Sequence, residues 1–170
     1  MIEFIESNWA ALLPIATFIL GFLVSRLTMT KKEKSDVAQK IFENSRDLMI
    51  AQQERYQEFT AVFQKYINKS GSPDLNDFLS IATVGEKYFY QLKIISDAIL
   101  SGKVDKESRD NTLVPRIVEC INGNLPTYYE TLRKIARRSG FPYSGELKRE
   151  NYLSLYRVAE KYGNLPQART

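Results

Sequence analysis

The stretch GSPDLNDFLSIATVGEKYFYQLKIISDAILSG, residues 71–102, decides the fold class. Gly71 suits the position just past a helix, Ser72 an N-cap, and Pro73 a first helical residue. Asp74 then complements the positive end of the new helix. Beyond it, Leu75, Phe78, Leu79, Ala82, Phe89, Leu92, Ile95 and Ile99 recur at three- and four-residue steps and predict one apolar helix face. Ser101-Gly102 closes it. Gly85 in mid-helix costs about 1 kcal/mol relative to Ala, so close approach of a neighbouring helix is its expected reason for being there. Glu86, beside it in an aromatic stretch, is read either as a partly buried carboxyl or as a solvent-facing or paired one.

The same period runs outward on both sides. Residues 35–69 place Ala38, Ile41, Phe42, Leu48, Met49, Tyr56, Phe59, Val62, Phe63, Tyr66 and Ile67 among Lys, Glu, Gln and Arg, which predicts a long amphipathic helix. Polar Ser45, Gln52 and Arg55 interrupt its seam, leaving either a bundle helix or a loose dimer stalk. C-terminally, Asp105 is an N-cap for a third helical stretch carrying Leu113, Ile117, Val118 and Ile121. Pro115 limits its first part. Asn122-Gly123-Asn124 with Pro126 predicts a break or kink before Tyr128, Tyr129, Leu132, Ile135 and Ala136. Ser139-Gly140-Phe141-Pro142 reads as a loop, and a last helix is expected near 146–162. No stretch alternates with period two between hairpin turns. The expected fold class is therefore all-α, with an antiparallel bundle of four or five helices over residues 35–163 and a tail at 164–170.

Ahead of the bundle, residues 7–25 form a run of 19 without a charge, SNWAALLPIATFILGFLVS. As a helix, such a run covers roughly the 30 Å hydrocarbon core of a bilayer. Trp9 suits the headgroup level at one end, and Arg26 can snorkel from the other. The expectation is a transmembrane helix over 7–27, with a hydrophobic interfacial segment as the alternative. Glu3 and Glu6 precede the run where a signal peptide would carry basic residues. Arg26, Lys31, Lys32 and Lys34 follow it, the last three within a basic juxtamembrane segment at 28–34. The positive-inside rule then puts residues 1–6 outside and the C-terminal part in the cytoplasm, giving a single-pass inner-membrane protein. Setting aside Glu3 and Glu6 leaves 24 basic against 18 acidic residues beyond the span, a net of +6. Thr17, Gly21 and Ser25 fall on one face of that helix, and small residues at this spacing suit transmembrane self-association, hence a homo-oligomer.

Composition removes much catalytic chemistry. With no His, a chain of 170 residues has no Ser–His or Cys–His pair and no imidazole metal ligand. Its single Cys120 has apolar neighbours and reads as core. No phosphate-binding loop or dinucleotide fingerprint is present. The expectation is a protein that is not an enzyme, with no cofactor and no metal. Gly85-Glu86-Lys87-Tyr88-Phe89 followed by Asp97-Ala98-Ile99-Leu100-Ser101-Gly102-Lys103-Val104-Asp105 resembles a family of bacterial single-span, membrane-anchored helical proteins of uncharacterised chemistry. That resemblance implies bacterial inner-membrane placement and an all-helical fold, and it carries over no functional residues.

The clearest surface feature is Arg133-Lys134-Ile135-Ala136-Arg137-Arg138. Arg133 with Arg137, and Lys134 with Arg138, stand four apart and build a basic ridge beside buried Ile135 and Ala136. Lys148 and Arg149 follow, with Tyr128, Tyr129, Tyr143, Tyr152 and Tyr156 interleaved. Like charges at this spacing repel, so the ridge gains from an anionic neighbour. Glu130 or Glu146, lipid headgroups, an acidic protein, or a nucleotide or nucleic acid stacked on the tyrosines all fit that description; a plain solvated face is the simplest alternative. The leading expectation is a non-enzymatic inner-membrane protein whose cytoplasmic helices bind or respond to a protein partner. The family resemblance alone points further, to accessory proteins of prophages and antiviral defence systems. The alternatives are a membrane-disrupting effector triggered through the cytoplasmic domain, and a membrane-tethered nucleotide or nucleic-acid sensor.

Overall fold

The aromatic centre of the quoted stretch forms the heart of a helical bundle. The structure, a computed structural model, describes residues 31–163 together with Pro14, residues 17–22 and Val24. Its elements are α1 (Lys31–Ile67), α2 (Leu75–Leu100), α3 (Lys106–Ser108), α4 (Val114–Glu119), α5 (Leu125–Ser139) and α6 (Leu153–Tyr162). Wide π turns at Arg109–Leu113 and Cys120–Asn124 join α3 to α4 and α4 to α5, and a 3₁₀ turn at Arg149–Tyr152 leads into α6. Among the described residues there is no strand, so the fold class is all-α.

The chain divides into two units, Met1–Lys40 and Ile41–Thr170. In the first, residues 17–22 are helical and exposed, with Phe18, Ile19 and Leu20 each more than half open to solvent. Most of the expected 7–27 span, Ser25 and Arg26 included, lies outside the described residues. Among the described residues no helix is long and apolar enough to cross a membrane. Lys31, Lys32 and Lys34, of the basic segment at 28–34, belong to the first turns of α1, as nothing in TMTKKEK breaks a helix.

In the second unit, α2 packs on α5 and α6, and α6 also packs on α4. Tyr88, Phe89, Leu92 and Ile95 of α2 meet Leu125, Tyr128, Leu132 and Ile135 of α5 in one continuous apolar cluster. Gly85 has the role read from the sequence. A Cβ there would fall 2.7 Å from Tyr128 Cδ2, so only glycine lets the ring lie across α2. The Tyr128 hydroxyl donates to the Ala82 carbonyl at 3.2 Å and holds the ring in place. From α1, Phe59 enters the cluster with its ring centre 5.2 Å from that of Tyr88 and 5.7 Å from that of Phe89. Burying one such aromatic side chain contributes about 1.5–3 kcal/mol.

Several boundaries depart from the sequence reading. The N-cap of α2 is Asp74, not Ser72. Its carboxylate accepts from the Asp77 amide, and the Asp77 carboxylate accepts from the Asp74 amide, both at 2.9 Å, which closes a capping box. Lys69 Nζ bridges both carboxylates, leaving Pro73 outside the helix. Leu75 and Leu79, expected on the buried face, are 54% and 51% exposed. Phe42 is likewise exposed. Ser45 and Gln52, read as interruptions of the α1 seam, are its most deeply buried positions with Phe59. The last helix begins at Leu153 because extended backbone at Lys148 and the 3₁₀ turn take up the residues before it.

Of the break or kink expected before Tyr128, the break is absent. A proline in a helix lacks an N–H and crowds the carbonyl four residues back. Here each proline follows a turn that has been widened. The Val114 amide reaches the Arg109 carbonyl just before Pro115, and the Leu125 amide reaches the Cys120 carbonyl just before Pro126. These five-residue steps relieve the crowding and let the chain stay helical from Lys106 to Ser139.

Candidate interaction surface

α5 has the strongest division into two faces. Leu125, Tyr128, Leu132, Ile135 and Ala136 point inward and are buried. Glu130, Arg133, Lys134, Arg137 and Arg138 are exposed. The helix ends where Gly140 takes a left-handed conformation (φ 74°) and returns its amide to the Ala136 carbonyl. Arg137 and Arg138 stand in this last turn, where cations complement the negative end of the helix dipole.

The four ridge residues have different local partners. Lys134 Nζ pairs with Glu130 at 2.6 Å, as one of the sequence alternatives had it. That contact holds the Glu130 carboxyl below its ordinary value. Among the described residues no carboxylate lies within ion-pair distance of Arg133, Arg137 or Arg138. Glu146 therefore makes no ion pair with them. Arg138 instead borders a small polar cavity of about 170 Å³ with Lys69, Gly71 and Pro73. The adjoining loop is tied down by the Ser139 hydroxyl, which donates to the Pro73 carbonyl at 2.8 Å. Arg133 acts on Tyr143, opposing the rise that burial imposes on that hydroxyl. Arg149 is engaged by Glu160 and lies over the Tyr156 ring at 4.7 Å.

The interleaved tyrosines do not form a stacking platform. Tyr128 and Tyr152 are buried, and Tyr129 and Tyr152 join hydroxyls at 3.0 Å. Tyr143 and Tyr156 are half-buried, Tyr143 with its ring edge-on to Phe78 and Tyr156 under Arg149. Periodicity placed these rings near the cations but did not show that the same rings fill the core. Glu86 is exposed rather than sunk among aromatics. Cys120 is fully buried, and burial pushes its thiol well above the ordinary range, so it is no nucleophile at neutral pH. Among the described residues no three Cys, Asp or Glu side chains converge as metal ligands do. Thr17 and Gly21 are helical and exposed. The sequence reading missed an outward stripe on α2, where Leu79, Tyr90 and Ile94 are exposed. Its signal was the four-residue step from Tyr90 to Ile94, off the line of Phe89, Leu92 and Ile95.

Fold and surface together define an all-α helical bundle with a cationic outer face. The chain matches no family model, no curated protein and no solved structure.

Proposed function

We propose that the protein is a non-enzymatic, membrane-anchored interaction module whose helical bundle binds an acidic protein partner through the α5 ridge. The observation that carries this reading is the exposure of Arg133, Arg137 and Arg138 with no carboxylate within ion-pair distance among the described residues. A guanidinium is weakly hydrated and presents a planar fork of donors, so three of them on one rigid helix suit carboxylates presented by another protein. Of the tyrosines a nucleic acid would stack upon, Tyr128 and Tyr152 are buried and Tyr129, Tyr143 and Tyr156 are packed against the core, which favours a protein over a nucleotide or nucleic acid. The anchor rests on the uncharged run at 7–25 and the basic residues after it. The exposed Phe18, Ile19 and Leu20 on a helical segment fit that role.

Two measurements test the reading. Alkaline carbonate extraction of membranes bearing the full-length chain leaves it in the pellet; release into the supernatant rejects the anchor. The purified full-length protein binds a glutamate-rich helical peptide with affinity that falls steeply with salt, and Arg133→Glu/Arg137→Glu/Arg138→Glu weakens it at least about tenfold. Unchanged peptide affinity in that variant, or binding of single-stranded RNA in preference to the peptide, rejects the acidic-protein reading.

A further inference from the structure

The outward stripe of α2 has a property of its own. Leu79, Thr83, Glu86, Lys87, Tyr90 and Ile94 are all exposed, on the side opposite core residues such as Ile81, Tyr88 and Ile95. Reversing this stripe about the point between Glu86 and Lys87 carries Leu79 onto Ile94, Thr83 onto Tyr90, and Glu86 onto Lys87. The face is thus complementary to an inverted copy of itself, with Leu79 against Ile94, the Thr83 side chain against the Tyr90 ring, and anion against cation. Such self-complementarity is what a two-fold, isologous contact requires. We propose that α2 is a homodimer surface. A second copy of the chain docks antiparallel on it, with the axis passing between residues 86 and 87.

Three further observations fit this occupant. Beside the Tyr90 half of the stripe runs an open groove of about 440 Å³, floored by Phe89 and Tyr152 and edged by Lys93 and Asn151, which receives the Leu79 half of the other copy. Tyr90, 65% exposed, is the large amphipathic anchor typical of an interface centre. The α5 ridge, by contrast, cannot face its own copy, because three guanidiniums would meet three guanidiniums. Self-association through α2 therefore leaves that ridge open, and it stands independently of both the anchor and the acidic partner.

Disulfide mapping on the full-length chain tests the geometry, because its native Cys120 is buried and inert. In an antiparallel pair, Leu79 of one copy faces Ile94 of the other, while the two Leu79 positions stand about 22 Å apart along the helices. Mixing Leu79→Cys chains with Ile94→Cys chains under mild oxidation is expected to give a crosslinked dimer that neither gives alone. Absence of that mixed product overturns the proposal, and so does a Leu79→Cys self-crosslink of equal yield, which marks a parallel arrangement. In the same mixture, Glu86→Lys or Lys87→Glu alone sets like charges together twice and is expected to lower the yield about threefold. The double exchange restores the pairing and the yield; failure to restore it overturns the assignment of the axis.

Discussion

Four single positions separate packing from propensity. Gly85 and Gly123 both lie in helical backbone, yet they face opposite surroundings. A methyl at Gly85 meets the Tyr128 ring, whereas one at Gly123 has nothing within 4 Å. Gly85→Ala is expected to destabilise by about 1–3 kcal/mol despite its better helix propensity, because the ring is fixed at its hydroxyl. Gly123→Ala is expected to stabilise by about 0.4–1 kcal/mol by narrowing the unfolded ensemble. Urea midpoints of the two variants moving in opposite directions check this. Ser45 and Gln52 make a second contrast within one stripe of α1. The Ser45 hydroxyl accepts the Asp105 amide at 2.9 Å and donates to the Ile41 carbonyl at 2.8 Å. Gln52 sits beside the Tyr88 hydroxyl, and its Nε2 is buried with no hydrogen-bond partner. Ser45→Ala leaves a part-buried amide unpaired and is expected to cost about 1–3 kcal/mol. Gln52→Met keeps the volume and removes the unpaired donor, so it is expected to be neutral or stabilising by about 1 kcal/mol. Denaturant unfolding of both variants distinguishes a working polar contact from a tolerated one.

At the scale of the element, the sequence was most legible where hydrophobic period and cap chemistry agreed. Asp105 starts the third helical stretch as read, because a carboxylate facing the Ser108 amide is a local matter. The α2 cap was misplaced because Lys69, five residues before Asp74 and beyond any cap pattern, gathers Asp74 and Asp77 together. Pro115 reads as a limit and Pro126 as a break or kink because a proline rule describes a regular α-helix, and a one-residue widening of the turn leaves no mark in composition. Asp105 also carries a pH dependence. Burial raises its carboxyl, but the hydrogen bond from the Ser108 amide, foremost among the polar contacts around it, outweighs that and holds the group below its ordinary value. A carboxyl depressed in the folded state adds stability above its unfolded pKa, about 3.9, and loses that contribution as pH falls through the lower folded value. Asp105→Asn is therefore expected to be less stable than the native chain at neutral pH. The gap should narrow only in that acidic window. Urea midpoints of both proteins between pH 7 and pH 2 test the sign; a gap that widens on acidification contradicts it.

Across the whole molecule, the sequence disclosed which helix carries the cations but not what surrounds them. Spacing alone put Arg133, Arg137 and Arg138 on an outer face, since Ile135 and Ala136 had to be inside. Whether a carboxylate from another element came within reach depended on tertiary packing, and so did the fate of the tyrosines between them. The exposed face of α2 was hidden for another reason: Leu79 keeps a four-residue step from Leu75, yet it lies round the helix from Ile81, Tyr88 and Ile95, on the side the bundle leaves open. Where the core lies is a property of the molecule as a whole. Among the described residues every buried side chain falls between Ser45 and Ala159, inside the unit Ile41–Thr170. Among the described residues, the apolar burial that opposes chain entropy thus lies in that unit, from the Phe59 ring to the Ala159 methyl. A chain of residues 41–170 is expected to fold by itself and to unfold cooperatively, with a stability within about 0.5 kcal/mol of the same transition in the full-length protein. Far-UV circular dichroism against urea makes the comparison. A broad, non-cooperative transition in the shortened chain would show that residues 1–40 supply packing the bundle requires, whereas matching sigmoids place the folding information wholly within 41–170.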